Sequence, residues 1–311
     1  MKRFALFALA ASLFAAPAHA AEKLTVMLDW FVNPDHATLV VTKEKGYFKE
    51  AGLDVELIAP ADPNDPPKLV AAGKADIAVS YQPQNHVQVG EGLPLVRIGT
   101  LVSTPLNSLV VLKNGPIQSI KDLKGKKVGF SVGGFEGALL NAMLQGQGLT
   151  VKDVTLVNVN FSLSPSLVTG QVDAVIGAFR NFELNQMDIA GHPGRAFYPE
   201  EEGVPPYDEL ILIANKAKVN DPRFRPFLNA LERGTQFLLN HPDESWNLFV
   251  AANKELNDEL NKRAWRDTLP RFTHSPAALD TNRYNRFAAF LLKEGLIKQA
   301  QKASDSTVEL P

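Results

Sequence analysis

The chain has 311 residues, 45% of them hydrophobic and 21% charged, with a formal net charge of −2 at pH 7 and no cysteine. Such a composition suits a chain that buries its own core, and so mild an acidity gives no reason to expect nucleic acid or an anionic membrane as partner. The absence of cysteine excludes disulfides, thiol nucleophiles, thiolate metal sites and a thioether lipid anchor.

Met1–Ala20 reads as a secretory leader: Lys2 and Arg3, the apolar run Phe4–Ala16, then Ala18-His19-Ala20 as a cleavage site. The apolar run is shorter than the roughly 20 residues of a membrane span. Cleavage after Ala20 is expected to leave a free protein in the periplasm of a Gram-negative cell.

Leu24–Trp30 is apolar enough for a buried strand. Asn33-Pro34-Asp35 follows as a turn with Asp35 as helix N-cap, and the helix runs over Ala37–Lys45 to Gly46 at its C′ position. Leu53–Ile58 alternates as a strand. Asp65-Pro66 opens a helix that ends at Gly73, and Asp76–Val79 is a short strand leading into Ser80-Tyr81-Gln82-Pro83. Further strands are expected at Leu95–Leu101, Leu109–Leu112, Lys127–Val132, Val154–Val159, Ala174–Ala178 and Leu210–Ala214, with helices at Phe135–Gln145 and Pro165–Thr169. From Asp221 onward the pattern is helical: Pro222–Asn240, Asp243–Asn253, Asp258–Leu269 and Thr281–Leu292. This alternation predicts an α/β fold with mostly parallel sheets.

Leu69–Asp76 and Leu167–Asp173 echo each other as helix, glycine, two residues, aspartate, strand. The echo predicts two lobes of similar build, with residues 21–112 and 210–311 in lobe one, residues 113–209 in lobe two, and the C-terminal helices on lobe one. A cleft between lobes is where ligands bind, and hinge closure is the expected motion.

Strand ends deliver the candidate ligand residues to that cleft: Asp29, Trp30, Asn33, His36, Tyr81 and Gln82 from one lobe, and Gly133, Gly134, Glu136, Phe179, Asn181 and Glu183 from the other. Trp30, Tyr81 or Phe179 would stack on a flat, nitrogen-rich ring, each aromatic pair worth about 0.5–1.5 kcal/mol beyond burial. Glu183 would accept from an exocyclic amine, with His36 or an amide on the remaining edge. Each has a plainer alternative: Trp30 as core, Tyr81 as turn, Glu183 as dipole partner, Gly133-Gly134 as a packing turn or an anion cradle. His86, His192, His241 and His274 show no metal-ligand spacing, and no metal or cofactor is expected.

One enzyme motif is present. Gly129-Phe130-Ser131-Val132-Gly133 matches G-x-S-x-G, and Asp173 and His192 follow in hydrolase order. Ser131 falls inside the expected strand rather than at the turn, and no oxyanion segment precedes it, so a serine hydrolase is the lesser alternative.

The segments Leu28-Asp29-Trp30 with Asn33 and His36, Lys45-Gly46-Tyr47-Phe48 with Gly52-Leu53, Ser80-Tyr81-Gln82-Pro83, and Asn181 with Glu183 carry a resemblance. The chain resembles periplasmic substrate-binding proteins of ABC importers, in the branch that binds thiamine-pyrimidine precursors. The resemblance implies a two-lobe, type II periplasmic-binding fold and a hydroxymethylpyrimidine or formylaminopyrimidine ligand. It also implies delivery to an inner-membrane permease with its ATPase, by a monomer that performs no chemistry. Phe179-Arg180-Asn181-Phe182-Glu183 stands where the family commonly has Tyr-Trp-Asn-aromatic-Glu, and Arg180 leaves open another aromatic, sulfonated or otherwise anionic solute. Similar eukaryotic enzymes that make the pyrimidine carry a cysteine-rich iron segment, which has no counterpart in a cysteine-free chain.

Overall fold

The computed structural model describes residues 21–310, so the expected leader at 1–20 lies outside the described residues. The strands are β1 (Glu22–Met27), β2 (Leu53–Ile58), β3 (Ile77–Ser80), β4 (Leu95–Val102), β5 (Asn107–Leu112), β6 (Lys127–Phe130), β7 (Thr155–Asn158), β8 (Ala174–Phe179), β9 (Gly194–Phe197) and β10 (Leu210–Asn215). They form two five-stranded sheets, ordered β2-β1-β3-β10-β4 and β7-β6-β8-β5-β9. Each sheet with the helices on its faces makes one lobe.

Both sheets have one plan. Three neighbouring strands run parallel, and the fourth in order runs against both of its neighbours. The sheets are therefore mixed rather than simply parallel. In each, the reversed strand is the one that arrives from the other sheet, β10 in the first and β5 in the second. The expected lobe boundary after Leu112 moves accordingly: β5 pairs with β8 and β9, so the chain crosses at 103–106. Pro105 in this connection cannot donate to a ladder, which ends β4 cleanly. Nothing in an apolar run such as Leu109–Leu112 tells which sheet it joins. The Glu209 carboxylate accepts from the Leu106 and Asn107 amides at 2.6 and 2.9 Å, tying the outgoing crossing to the returning one.

The echo between the halves has a structural cause. Asp76 accepts from the Thr25 amide at 2.9 Å and Asp173 from the Lys127 amide at 2.8 Å, each aspartate fixing the register of a strand beside its own.

The helices of the first half are α1 (Ala37–Glu44), α2 (Tyr47–Glu50), α3 (Pro66–Ala71), α4 (Gln82–Gly90), α5 (Phe135–Gln145), α6 (Leu163–Val168) and α7 (Glu183–Ile189). Those that follow are α8 (Phe224–Asn240), α9 (Pro242–Ala252), α10 (Glu259–Thr268), α11 (Thr281–Lys293) and α12 (Ala303–Ser306). α8 buries Phe224, Phe227, Leu228, Leu231 and Leu238 at helical spacing, and Phe227 stacks on Phe48 at 5.0 Å. Each such side chain contributes about 1.5–3 kcal/mol through burial. Val308 donates its amide to the Arg97 carbonyl at 2.9 Å beside a Thr307 bridge, so the C-terminal segment covers the edge of β4. The C-terminal helices do more than cover lobe one. α10 also reaches lobe two, where Asp267 accepts from Asn185 and Arg263 pairs with Asp188 at 2.7 Å.

Candidate functional site

Beyond β1 the chain continues through Leu28 into Asp29-Trp30. Asn33, not Asp35, is the N-cap: its Oδ1 accepts from the Asp35 amide at 2.8 Å, and Pro34 occupies the first helical position. That turn brings His36 back onto Asp29. The His36 Nδ1 faces the Asn33 amide at 3.4 Å, which leaves the proton on Nε2 to donate to Asp29 Oδ1 at 2.8 Å. The other oxygen, Oδ2, accepts from the Tyr81 hydroxyl at 2.8 Å. Asp29 and His36 thus spend themselves on holding the Tyr81 ring in place. His36 is fully buried and stands behind the cavity wall.

Lobe two meets this wall with aromatic faces. Phe135 stacks on Tyr81 at 5.1 Å, Phe179 stands edge-on to it at 6.3 Å, Phe161 packs edge-on against Trp30 at 4.5 Å, and Phe182 lies 5.9 Å from Phe31. Between the lobes is a cavity lined by Asp29, Trp30, Asn33 and Tyr81 from one side and by Glu136, Phe179 and Glu183 from the other.

The two glutamates are held alike. Glu136 Oε2 accepts from the Ser131 and Val132 amides at 2.8 and 3.1 Å, and Glu183 Oε2 accepts from the Phe179 amide at 2.6 Å. In both, Oε1 takes no hydrogen bond from the described residues and the side chain is more than nine-tenths buried. Glu136 lies directly over Gly177, at φ +100°, where an added Cβ would sit 2.4 Å from Glu136 Oε1.

Other expected residues are placed elsewhere. Gln82 accepts from the Asp208 amide at 2.8 Å and serves the fold, because a glutamine buried at a strand end must satisfy its own polar atoms. Gly133 and Gly134 are exposed and outside the cavity lining, and the Gly133 amide is taken by Asn64 Oδ1 from the opposite lobe at 2.8 Å. Asn181 also works between lobes, donating to Asp35 at 2.5 Å and to Thr268 at 2.7 Å. Arg180 points away from the cavity, with its fork on Glu200 at 2.6 and 3.0 Å and its face on Tyr198. It therefore supplies no charge for an anionic ligand.

The sequence reading missed Asp35, Ser131, Val132, Leu163, Gly177 and Phe182 as lining residues. A glycine inside a strand, as at Gly177, was the one available signal of close approach. The hydrolase arrangement does not form. The Ser131 hydroxyl donates to the Asn160 carbonyl, Asp173 is occupied by the Lys127 amide, and His192 is exposed.

Burial pushes the Glu136 and Glu183 carboxyls up to about 8 and that of Asp35 up to about 6. The folded chain then keeps protons that the unfolded chain loses near pH 4.5, so this stabilisation is present at low pH and is lost as pH rises through about 8. Glu209, pushed up to about 7 by burial, acts in the same direction. Burial pushes the His86 ring down to about 4, which has the opposite sign and fades above about 6.5. The melting temperature of the ligand-free protein is therefore expected to fall between pH 6.5 and 8, and to fall less in Glu183→Gln. A profile equally steep in both proteins would contradict this.

A family model described as NMT1/THI5 like matches residues 33–245. A Haemophilus influenzae protein whose name places it in thiamine biosynthesis is 57% identical over 295 residues, 94% of each chain. The formylaminopyrimidine-binding protein of Halalkalibacterium halodurans is 36% identical over 252 residues, 80% of this chain and 76% of that protein. A 4-amino-5-hydroxymethyl-2-methylpyrimidine phosphate synthase of Saccharomyces cerevisiae is 25% identical over 277 residues, 82% of this chain and 78% of that protein. Among solved structures, the alkanesulfonate-binding protein SsuA from Xanthomonas axonopodis pv. citri, bound to MOPS, superposes with a TM-score of 0.73 at 15% identity, over 93% of this chain and 99% of that one. The fold is that of the periplasmic binding proteins.

Proposed function

The chain belongs to the NMT1/THI5-like family, and from that premise we propose that it is the periplasmic substrate-binding component of an ABC importer for a thiamine pyrimidine precursor, of the hydroxymethylpyrimidine or formylaminopyrimidine type. One observation carries the reading. Aromatic faces from both lobes and two glutamates, each with a spare oxygen, converge on one cavity. An aminopyrimidine fits this set: the ring lies among Trp30, Tyr81 and Phe179, the exocyclic amine donates to Glu183, and Glu136 meets a ring nitrogen as a neutral acid. Each hydrogen bond involving a carboxylate contributes about 1.5–3 kcal/mol.

The lobes close about the crossings held by Glu209. Asp35, Asn181 and Thr268 latch the closed form from one side and Asn64 from the other. The closed protein delivers its cargo to an inner-membrane permease and its ATPase and performs no chemistry itself. The engaged Ser131 hydroxyl and the cysteine-free sequence support that reading against the synthases of the family.

A thermal-shift comparison tests it. Ligand at 100 times its dissociation constant adds about 2.7 kcal/mol of stability, a shift of several degrees. A hydroxymethyl- or formylaminopyrimidine is expected to produce that shift. No shift with either, alongside a shift with an alkanesulfonate, would overturn the proposal.

A further inference from the structure

The start of α5, an eleven-residue helix at the cavity wall, is where a phosphate or sulfonate would ordinarily be cradled by backbone amides. Here the amides that lead into the helix are already used. The Ser131 and Val132 amides donate to Glu136 Oε2, the Gly133 amide donates to Asn64 Oδ1, and the Ser131 hydroxyl donates to the Asn160 carbonyl. Two further side-chain donors in the wall are spent in the same way. The Tyr81 hydroxyl goes to Asp29 and the Asn33 side-chain amide to Phe31. No lysine or arginine lines the cavity. Arg180 is paired with Glu200, and Arg271 donates to Thr104 outside it.

Apart from the Trp30 indole N–H, the side-chain atoms left unpartnered in the wall are carboxyl oxygens. Asp35 Oδ2, Glu136 Oε1 and Glu183 Oε1 take no hydrogen bond from the described residues, and all three side chains are more than nine-tenths buried. Four carboxyl groups (Asp29, Asp35, Glu136 and Glu183) and no cation line the cavity, so it favours a ligand that brings N–H donors over one that carries a negative group. An anion enclosed there would be buried without compensation, which costs far more than one aromatic contact returns.

We propose that this cavity takes its heteroaromatic ligand only in the unphosphorylated, unsulfonated form, with the Glu136 carboxyl filling from within the amide cradle that such an anionic group would need. This rests on the pyrimidine-receptor reading and adds to it the exclusion of the phosphate ester. The selectivity rests on a side chain that repels the ester rather than on an added contact with the alcohol. It lets the protein discriminate between a free alcohol and its ester although both carry the same ring.

Titration calorimetry with a hydroxymethyl aminopyrimidine and with its phosphate monoester, each against the wild-type protein, tests the inference. The alcohol is expected to bind at least about 100-fold more tightly than the ester, the scale of one buried charge left without a partner. Glu136→Gln keeps an acceptor on the Ser131 and Val132 amides and is expected to retain that ratio. Glu136→Ala empties the cradle and is expected to narrow the ratio at least about tenfold, chiefly by gaining affinity for the ester. Wild-type protein that binds the ester as tightly as the alcohol would overturn the inference while leaving the receptor reading intact. Failure of both compounds to bind would remove that reading and this inference with it. If Glu136→Ala does not fold, the wild-type and Glu136→Gln ratios decide the matter.

Discussion

Gly177→Ala is expected to cost about 3 kcal/mol or more of folding stability, since left-handed strain and overpacking each cost roughly 1–3 kcal/mol. Gly177 sits in β8 at φ +100°, a backbone conformation that side chains rarely adopt. A Cβ there would lie 2.4–2.8 Å from the carboxyl atoms of Glu136. The carboxyl cannot simply step aside, because it is fastened to two amides at the start of α5. Pyrimidine affinity should therefore fall along with stability. Gly170→Ala is the control: its φ is +72°, but nothing lies within 4 Å of the added carbon, so it reports strain alone. Chemical denaturation of the two variants separates the terms. Equal destabilisation in both would show that the collision with Glu136 contributes nothing.

Glu183→Gln is expected to move affinity and stability in opposite directions. Glutamine preserves the shape and an acceptor for the Phe179 amide, but it cannot carry the charge that an amine on the ligand would meet. The loss is about 1.5–3 kcal/mol, or roughly 10- to 150-fold in affinity. In the empty protein the sign reverses. Burial pushes the Glu183 carboxyl up to about 8, so near pH 8 and above the folded chain must hold a costly buried charge. A neutral amide removes that cost, and the ligand-free variant should melt higher than wild type at pH 8. A site residue that lowers stability in order to bind is the expected signature of function. A variant both less stable at pH 8 and unchanged in affinity would show Glu183 to be a structural residue.

Much of this architecture can be read from the residues. The helix–glycine–aspartate–strand echo is physically grounded, because Asp76 and Asp173 each fix a neighbouring strand at its amide. Trp30, Tyr81, Glu136, Phe179 and Glu183 lie at strand or helix ends, where an α/β chain exposes side chains to its cleft, and they do meet at one cavity. What was not legible depends on contacts distant in sequence. Gln82 looks like a ligand contact until Asp208, far along the chain, brings it an amide to accept from. Asp35 looks like a cap until Asn181 and Thr268 fold against it. Arg180 looks like a ligand cation until Glu200 takes it. The membership of β5 in the second sheet was equally hidden, since a short apolar strand has no mark of its partner.

The most direct test of the account is a crystal structure of the protein grown with a hydroxymethyl aminopyrimidine. The ring should lie between the lobes, in contact with Trp30 and Tyr81, with its exocyclic amine within about 3 Å of Glu183 Oε1. A ring bound outside the cavity, or inside it with Glu183 still pointing only at the Phe179 amide, would contradict the account.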